Sequence, residues 1–83
     1  MRFYITANET SKIMKYALML NNEVIAFFSN KRHATQILNH MKWYEKRFGE
    51  FSDIADAAFE MNHSIRNASK FEPFKSMKYE IMN

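Results

Sequence analysis

The 83-residue chain has no cysteine. Disulfides, thiolate metal sites and a cysteine nucleophile are therefore excluded. Its single glycine, Gly49, rules out a glycine-rich phosphate cradle, which needs several. One glycine and one proline leave little room for long flexible loops, and no repeat, linker or low-complexity segment is visible. No apolar run approaches the roughly 18–20 residues of a membrane span. Met1-Arg2-Phe3-Tyr4-Ile5 enters strand-like sequence without a signal-peptide core. A soluble, cytoplasmic chain is expected, and without secretion the sequons at Asn8, Asn62 and Asn67 carry no meaning.

What is present belongs to a folded protein. Hydrophobic residues make up 47% and aromatics 16%, too many for a disordered chain. The length suits one domain over residues 1–83. A chain this short buries only about 60–65% of its unfolded surface, so its stability is modest unless something reinforces it. Disulfides are excluded and the three histidines are spread out, which leaves self-association as a route to reinforcement. The net charge of +3 is mild, but its distribution is polar. Residues 31–47 carry five bases against Glu45, a local +4, and residues 50–60 carry four acids and no base, a local −4. That polarity suits attraction of a polyanion to one side, or the docking of two copies head to tail.

A short apolar strand at 3–5 leads into a turn at Asn8-Glu9-Thr10-Ser11. Residues 12–20 and 23–29 are rich in aromatic and aliphatic side chains around Asn21-Asn22. Asparagine tolerates the positive φ of a two-residue turn, so these segments predict a β-hairpin. Ser29 or Asn30 then caps a helix over about 31–48, with Ala34, Ile37, Leu38, Met41, Tyr44 and Phe48 as one apolar stripe. Gly49 ends it. Ser52 caps a second helix over about 53–69, whose stripe is Ile54, Ala58, Met61, Ile65 and Ala68. Asp53 and Asp56 near its start, and Arg66 and Lys70 near its end, suit the helix dipole. The Phe71-Glu72-Pro73-Phe74 segment breaks that helix, and residues 76–82 alternate as a half-buried strand. Five of the methionines, Met14, Met19, Met41, Met61 and Met77, fit core stripes. The fold class is α+β: a small antiparallel sheet in the order β-β-β-α-α-β, with two helices packed on one face.

Catalytic chemistry is thin. His33 and His40 are seven residues apart, about two helical turns, too far for one metal ion to bridge. His63 is on the other helix, and all three read as solvated surface histidines. No metal, no cofactor and no enzyme activity is expected. The informative residue is Trp43. On a helical wheel it points away from the stripe, among Arg32, Gln36, Asn39, Lys46 and Arg47. Tryptophan and arginine are enriched at interface hot spots, and the pair also suits stacked bases and phosphates. The bland alternative is cover by the chain itself, from the Phe71–Phe74 segment or from lysine and arginine stems. Phe59 repeats the pattern on the second helix, beside Arg66, as either helix-to-helix packing or a second outward anchor.

The stretches MRFYITANE, KYALMLNNEVIAFFSNKRHA and KWYEKRFGE give the chain a recognisable style. It resembles the small accessory proteins encoded by large T4-like tailed phages. The likeness covers the whole length but holds no motif that assigns a role to a residue. It implies an anti-defence or host-takeover protein in the host cytoplasm that binds and blocks a host enzyme or defence system. One kind neutralises an RNA-cleaving toxin, antitoxin-like, and itself touches RNA. Three readings follow. The first is a non-enzymatic inhibitor that binds another protein, with a homodimer open, through Arg32, Gln36, Asn39, Trp43, Lys46, Arg47, Phe59 and Arg66. The second is a small RNA- or single-stranded-DNA-binding domain. The third is a small nuclease built on the histidines.

Overall fold

The computed structural model describes residues 3–82, so Met1 and Arg2 of the N-terminal reading lie outside the described residues. Strand β1 (Phe3–Ala7) is followed by β2 (Tyr16–Leu20), β3 (Glu23–Phe28), helix α1 (Lys31–Phe48), helix α2 (Ile54–Ala68) and strand β4 (Tyr79–Ile81). The strands form one antiparallel sheet in the order β1-β2-β3-β4. The α+β class and the element order are those read from the sequence. Among the described residues no helix is long and apolar enough to cross a membrane.

The β2–β3 hairpin turns on Asn21-Asn22, and Asn21 adopts the positive φ of 57° that this turn requires. Pairing shifts between Leu18 and Met19, which makes Ile25 an extra residue on β3. Such a bulge puts two adjacent side chains on the same face. Ile25 and Ala26 are accordingly both buried in the core. Helix α1 lies over β1, β2 and β3, while α2 lies beside α1 and over β3. Leu18, Ile25 and Phe28 from the sheet meet Ile37 and Met41 of α1 and Met61 and Ile65 of α2, all fully buried. The opposite sheet face carries Tyr4, Met19, Val24 and Phe27 and has no helix over it. Met19 therefore belongs to the uncovered face and not to the core stripe assigned to it. Met14 lies in the loop before β2, also outside the core.

Both helix starts are capped by side chains. The Asn30 carboxamide oxygen accepts hydrogen bonds from the backbone N–H groups of Arg32 (2.8 Å) and His33 (3.2 Å). Asp53, not Ser52, caps α2, accepting from the Asp56 N–H at 2.9 Å. Ser52 instead donates its hydroxyl to the Asp56 carboxylate. Gly49 ends α1 with φ of 97°, a conformation open to glycine, although its ψ of 168° lies outside the left-handed helical well.

Two expected strands are shorter than their apolar runs, and one helical stripe ends early. The second strand begins at Tyr16 and not at residue 12, because the Ser11 hydroxyl accepts from the N–H groups of Ile13 and Met14 and folds them into a turn. The last strand covers only 79–81 because residues 68–77 are taken up by consecutive tight turns, with the Glu72–Pro73 peptide cis. The apolar stripe of α1 ends before Phe48, which is 62% exposed. Phe51, from the interhelix loop, fills the place instead: it stacks on Tyr44 (5.1 Å, 9° between planes) and meets Phe3 edge-on at 5.9 Å.

Urea denaturation checks this account. Asn30→Ala is expected to cost about 1 kcal/mol, the usual loss of an N-cap. Met61→Ala, which empties the centre of the core, is expected to cost about 2–5 kcal/mol.

Candidate functional site

The outer surface of the helical layer collects what the core does not need. Because α1 turns its apolar stripe to the sheet, Trp43 faces away from it and is 53% exposed. The indole leans toward the seam between the helices, 5.7 Å from the His40 ring and 6.0 Å edge-on from Phe48. The Arg47 guanidinium lies 5.8 Å from the centre of the Phe48 ring. Trp43, Lys46 and Arg47 line one shallow depression. Tyr44, Phe48, Phe51 and Phe59 line the next, of about 370 Å³, together with Asp56 and Glu60. Phe59 is 78% exposed, so it is an outward side chain and not packing between the helices.

A direct link holds the two helices in this arrangement. His40 Nε2 donates to the Glu60 carboxylate at 2.7 Å across the seam, with both side chains largely shielded. The bond fixes Glu60 beside the aromatic cluster and fixes the imidazole against Trp43.

All eight residues singled out from the sequence are exposed, but the fold does not unite them. Arg32, Gln36 and Asn39 line a separate depression of about 500 Å³ at the start of α1, with Lys31, Thr35 and Phe74. Trp43, Lys46, Arg47 and Phe59 gather at the other end. Arg66 lies two turns beyond Phe59, about 10 Å further along α2. The Phe71–Phe74 segment does not act as the lid over Trp43 considered above: Phe71 is itself exposed, and Phe74 packs on His33 with ring centres 5.4 Å apart. Sequence reasoning missed Phe48 and the acidic border of Asp56 and Glu60. Phe48 could have been flagged by its position, since it is the last residue of the helix, against the terminal glycine, where the core-facing stripe runs out.

The histidines do not form a set. His33, expected on the surface, is 7% exposed. Its Nε2–H donates to the Pro73 carbonyl at 3.2 Å, and its buried Nδ1 has no hydrogen-bond partner among the described residues. It lies beside Ala34 on the inner side of α1, and the turns after α2 fold over it, which is why the surface reading fails. His40 is bound to Glu60, and His63 is exposed. Among the described residues no cluster of histidine, aspartate and glutamate is placed to hold a metal ion.

No family model, curated protein or solved structure matches the chain.

Trp43 is the only tryptophan, so its environment can be read directly. Its emission should be red-shifted and readily quenched by acrylamide in the native protein. Trp43→Ala should change stability by no more than about 0.5 kcal/mol, as for a surface site. A blue-shifted, protected indole would place the ring in an interior.

Proposed function

We propose that this protein is a non-enzymatic interaction module that binds another protein through the outer face of α1 and α2. The carrying observation is the cluster of outward aromatics, Trp43, Phe48 and Phe59, around depressions bordered by cations on one side and carboxylates on the other. Exposed aromatics cost nothing when scattered, but these adjoin one another, and contiguous apolar surface marks contact sites. Aromatic and arginine side chains supply most of the energy in typical interfaces. The mixed border favours a protein: a polyanion is repelled by Asp56 and Glu60, whereas a protein surface can offer both signs. An antagonist role, in which the module covers a functional surface of its partner, is supported by the resemblance to small phage accessory proteins.

The test is a quantitative affinity capture comparing the wild type with Trp43→Ala and Arg47→Glu, each checked for native circular dichroism. A specific partner should be retained by the wild type and bound at least roughly thirty-fold more weakly by Trp43→Ala, the size of a hot-spot loss. Equal capture by all three proteins removes this face from consideration.

A second reading rests on the depression at the start of α1. Lys31, Arg32, Gln36, Asn39 and Phe74 surround it without an acidic residue, a composition that suits a phosphate and a base. It requires single-stranded RNA binding that is measurable at about 50 mM salt and falls steeply as salt rises, because phosphate contacts release counterions. Fluorescence anisotropy with an unstructured oligonucleotide decides it, and no binding at low salt rejects it.

A further inference from the structure

The outer edge of β4 is an unpaired strand with a self-complementary pattern. In an antiparallel ladder, alternate residues direct their N–H and C=O groups to the same neighbour. Lys78 accepts through its carbonyl from the Ser29 N–H, and Met82 donates its N–H to the Ile25 carbonyl. Even-numbered residues therefore bond inward to β3, and the backbone groups of Tyr79 and Ile81 point outward. Among the described residues nothing pairs with them. The side chains alternate in the other direction. Met77, Tyr79 and Ile81 lie on the helix-covered face, and Lys78 and Glu80 lie on the open face.

We infer that β4 is a homodimer interface, in which a second copy adds its own β4 antiparallel across a two-fold axis at Tyr79. This register brings outward backbone groups together. The Tyr79 N–H and C=O exchange bonds with Tyr79 of the second copy, and the Ile81 N–H reaches the Met77 carbonyl of the second copy, in both directions. Lys78 stands opposite Glu80 of the second copy, and Glu80 opposite its Lys78. Opposite charges directly across a strand pair are stabilising and like charges are not. Charge thus selects the register: moving the axis to Glu80 would set the two Glu80 carboxylates against each other.

The apolar face agrees. A groove of about 450 Å³ runs between α2 and the edge, lined by Ala55, Ala58, Phe59 and Asn62 on the helix and Tyr79 and Ile81 on the strand. In the dimer, Met77 of the second copy stands opposite Ile81 at the mouth of that groove. The outcome is one continuous eight-stranded sheet with all four helices on one face. It closes on itself, because both copies use the same patch. Helix α1 sits over β1, β2 and β3, with the axis at the outer side of β4, so the dimer presents two Trp43 faces, one at each end.

Sedimentation velocity over a concentration series is the test. The wild type should form dimers that dissociate on dilution. Lys78→Glu should weaken dimerisation roughly tenfold, since it creates a like-charged pair on each side of the axis. The double variant Lys78→Glu/Glu80→Lys should regain it, because the swap restores both pairs. Tyr79→Pro removes an outward N–H that β3 does not use, so it should yield a folded monomer with unchanged circular dichroism. Trp43→Ala should remain dimeric, which separates this interface from the proposed partner face. A wild type that stays monomeric at about 1 mM, where even weak specific contacts register, overturns the inference. So does a dimer that is indifferent to Lys78→Glu and Tyr79→Pro, or a loss that the charge swap does not repair.

Discussion

The structure depends on burying one face of a four-stranded sheet under two amphipathic helices. Phe28, Leu18 and Ile25 supply the sheet side, and Ile37, Met41, Met61 and Ile65 supply the helix side. Among the described residues one core carries the whole burden, as the size of the chain requires. The bulge at Ile25 matters for that reason: by turning two consecutive residues of β3 inward, it adds apolar volume where both helices converge. Once that contact is made, the rotation of each helix is settled, and with it every outward side chain.

The outer face follows from that constraint. A helix that gives Ala34, Ile37 and Met41 to the core must present Trp43, Lys46 and Arg47 elsewhere. The aromatic residues near the interhelix loop divide their roles by geometry. Tyr44 and Phe51 stack on each other and reach Phe3 at the edge of the core, while Phe48 and Phe59 are left outside. The His40–Glu60 bond then ties the helices together below the exposed indole, giving the cluster a rigid base. Rigidity of that kind favours recognition, because little conformational entropy is left to lose on binding.

Much of this was legible in the chain. Helix α1 is bounded by Asn30 and Gly49 as expected, because a capping side chain and a glycine at positive φ are local devices that act through neighbouring backbone. The hairpin at Asn21-Asn22 was legible for the same reason. Less legible was the extent of the strands. Ser11 and the turns after Ala68 capture residues that an apolar count assigns to β2 and β4. His33 was misread because its cover comes from Pro73 and Phe74, forty residues away in the chain. The candidate site was legible in its members and not in its grouping. Arg32 and Trp43 share a helix face, yet they belong to different depressions.

By itself the sequence determined the class, the element order, the limits of α1 and the outward direction of Trp43. These follow from period, capping and turn chemistry, all of which operate over a few residues. Only the tertiary structure decided which aromatics meet, which histidine is sealed and which strands form the edges of the sheet. Those outcomes depend on contacts between distant segments: where the interhelix loop packs, where the C-terminal turns come to rest, and which backbone groups β3 leaves unused on β4. No local pattern encodes them, because each is set by the shape of what has already packed.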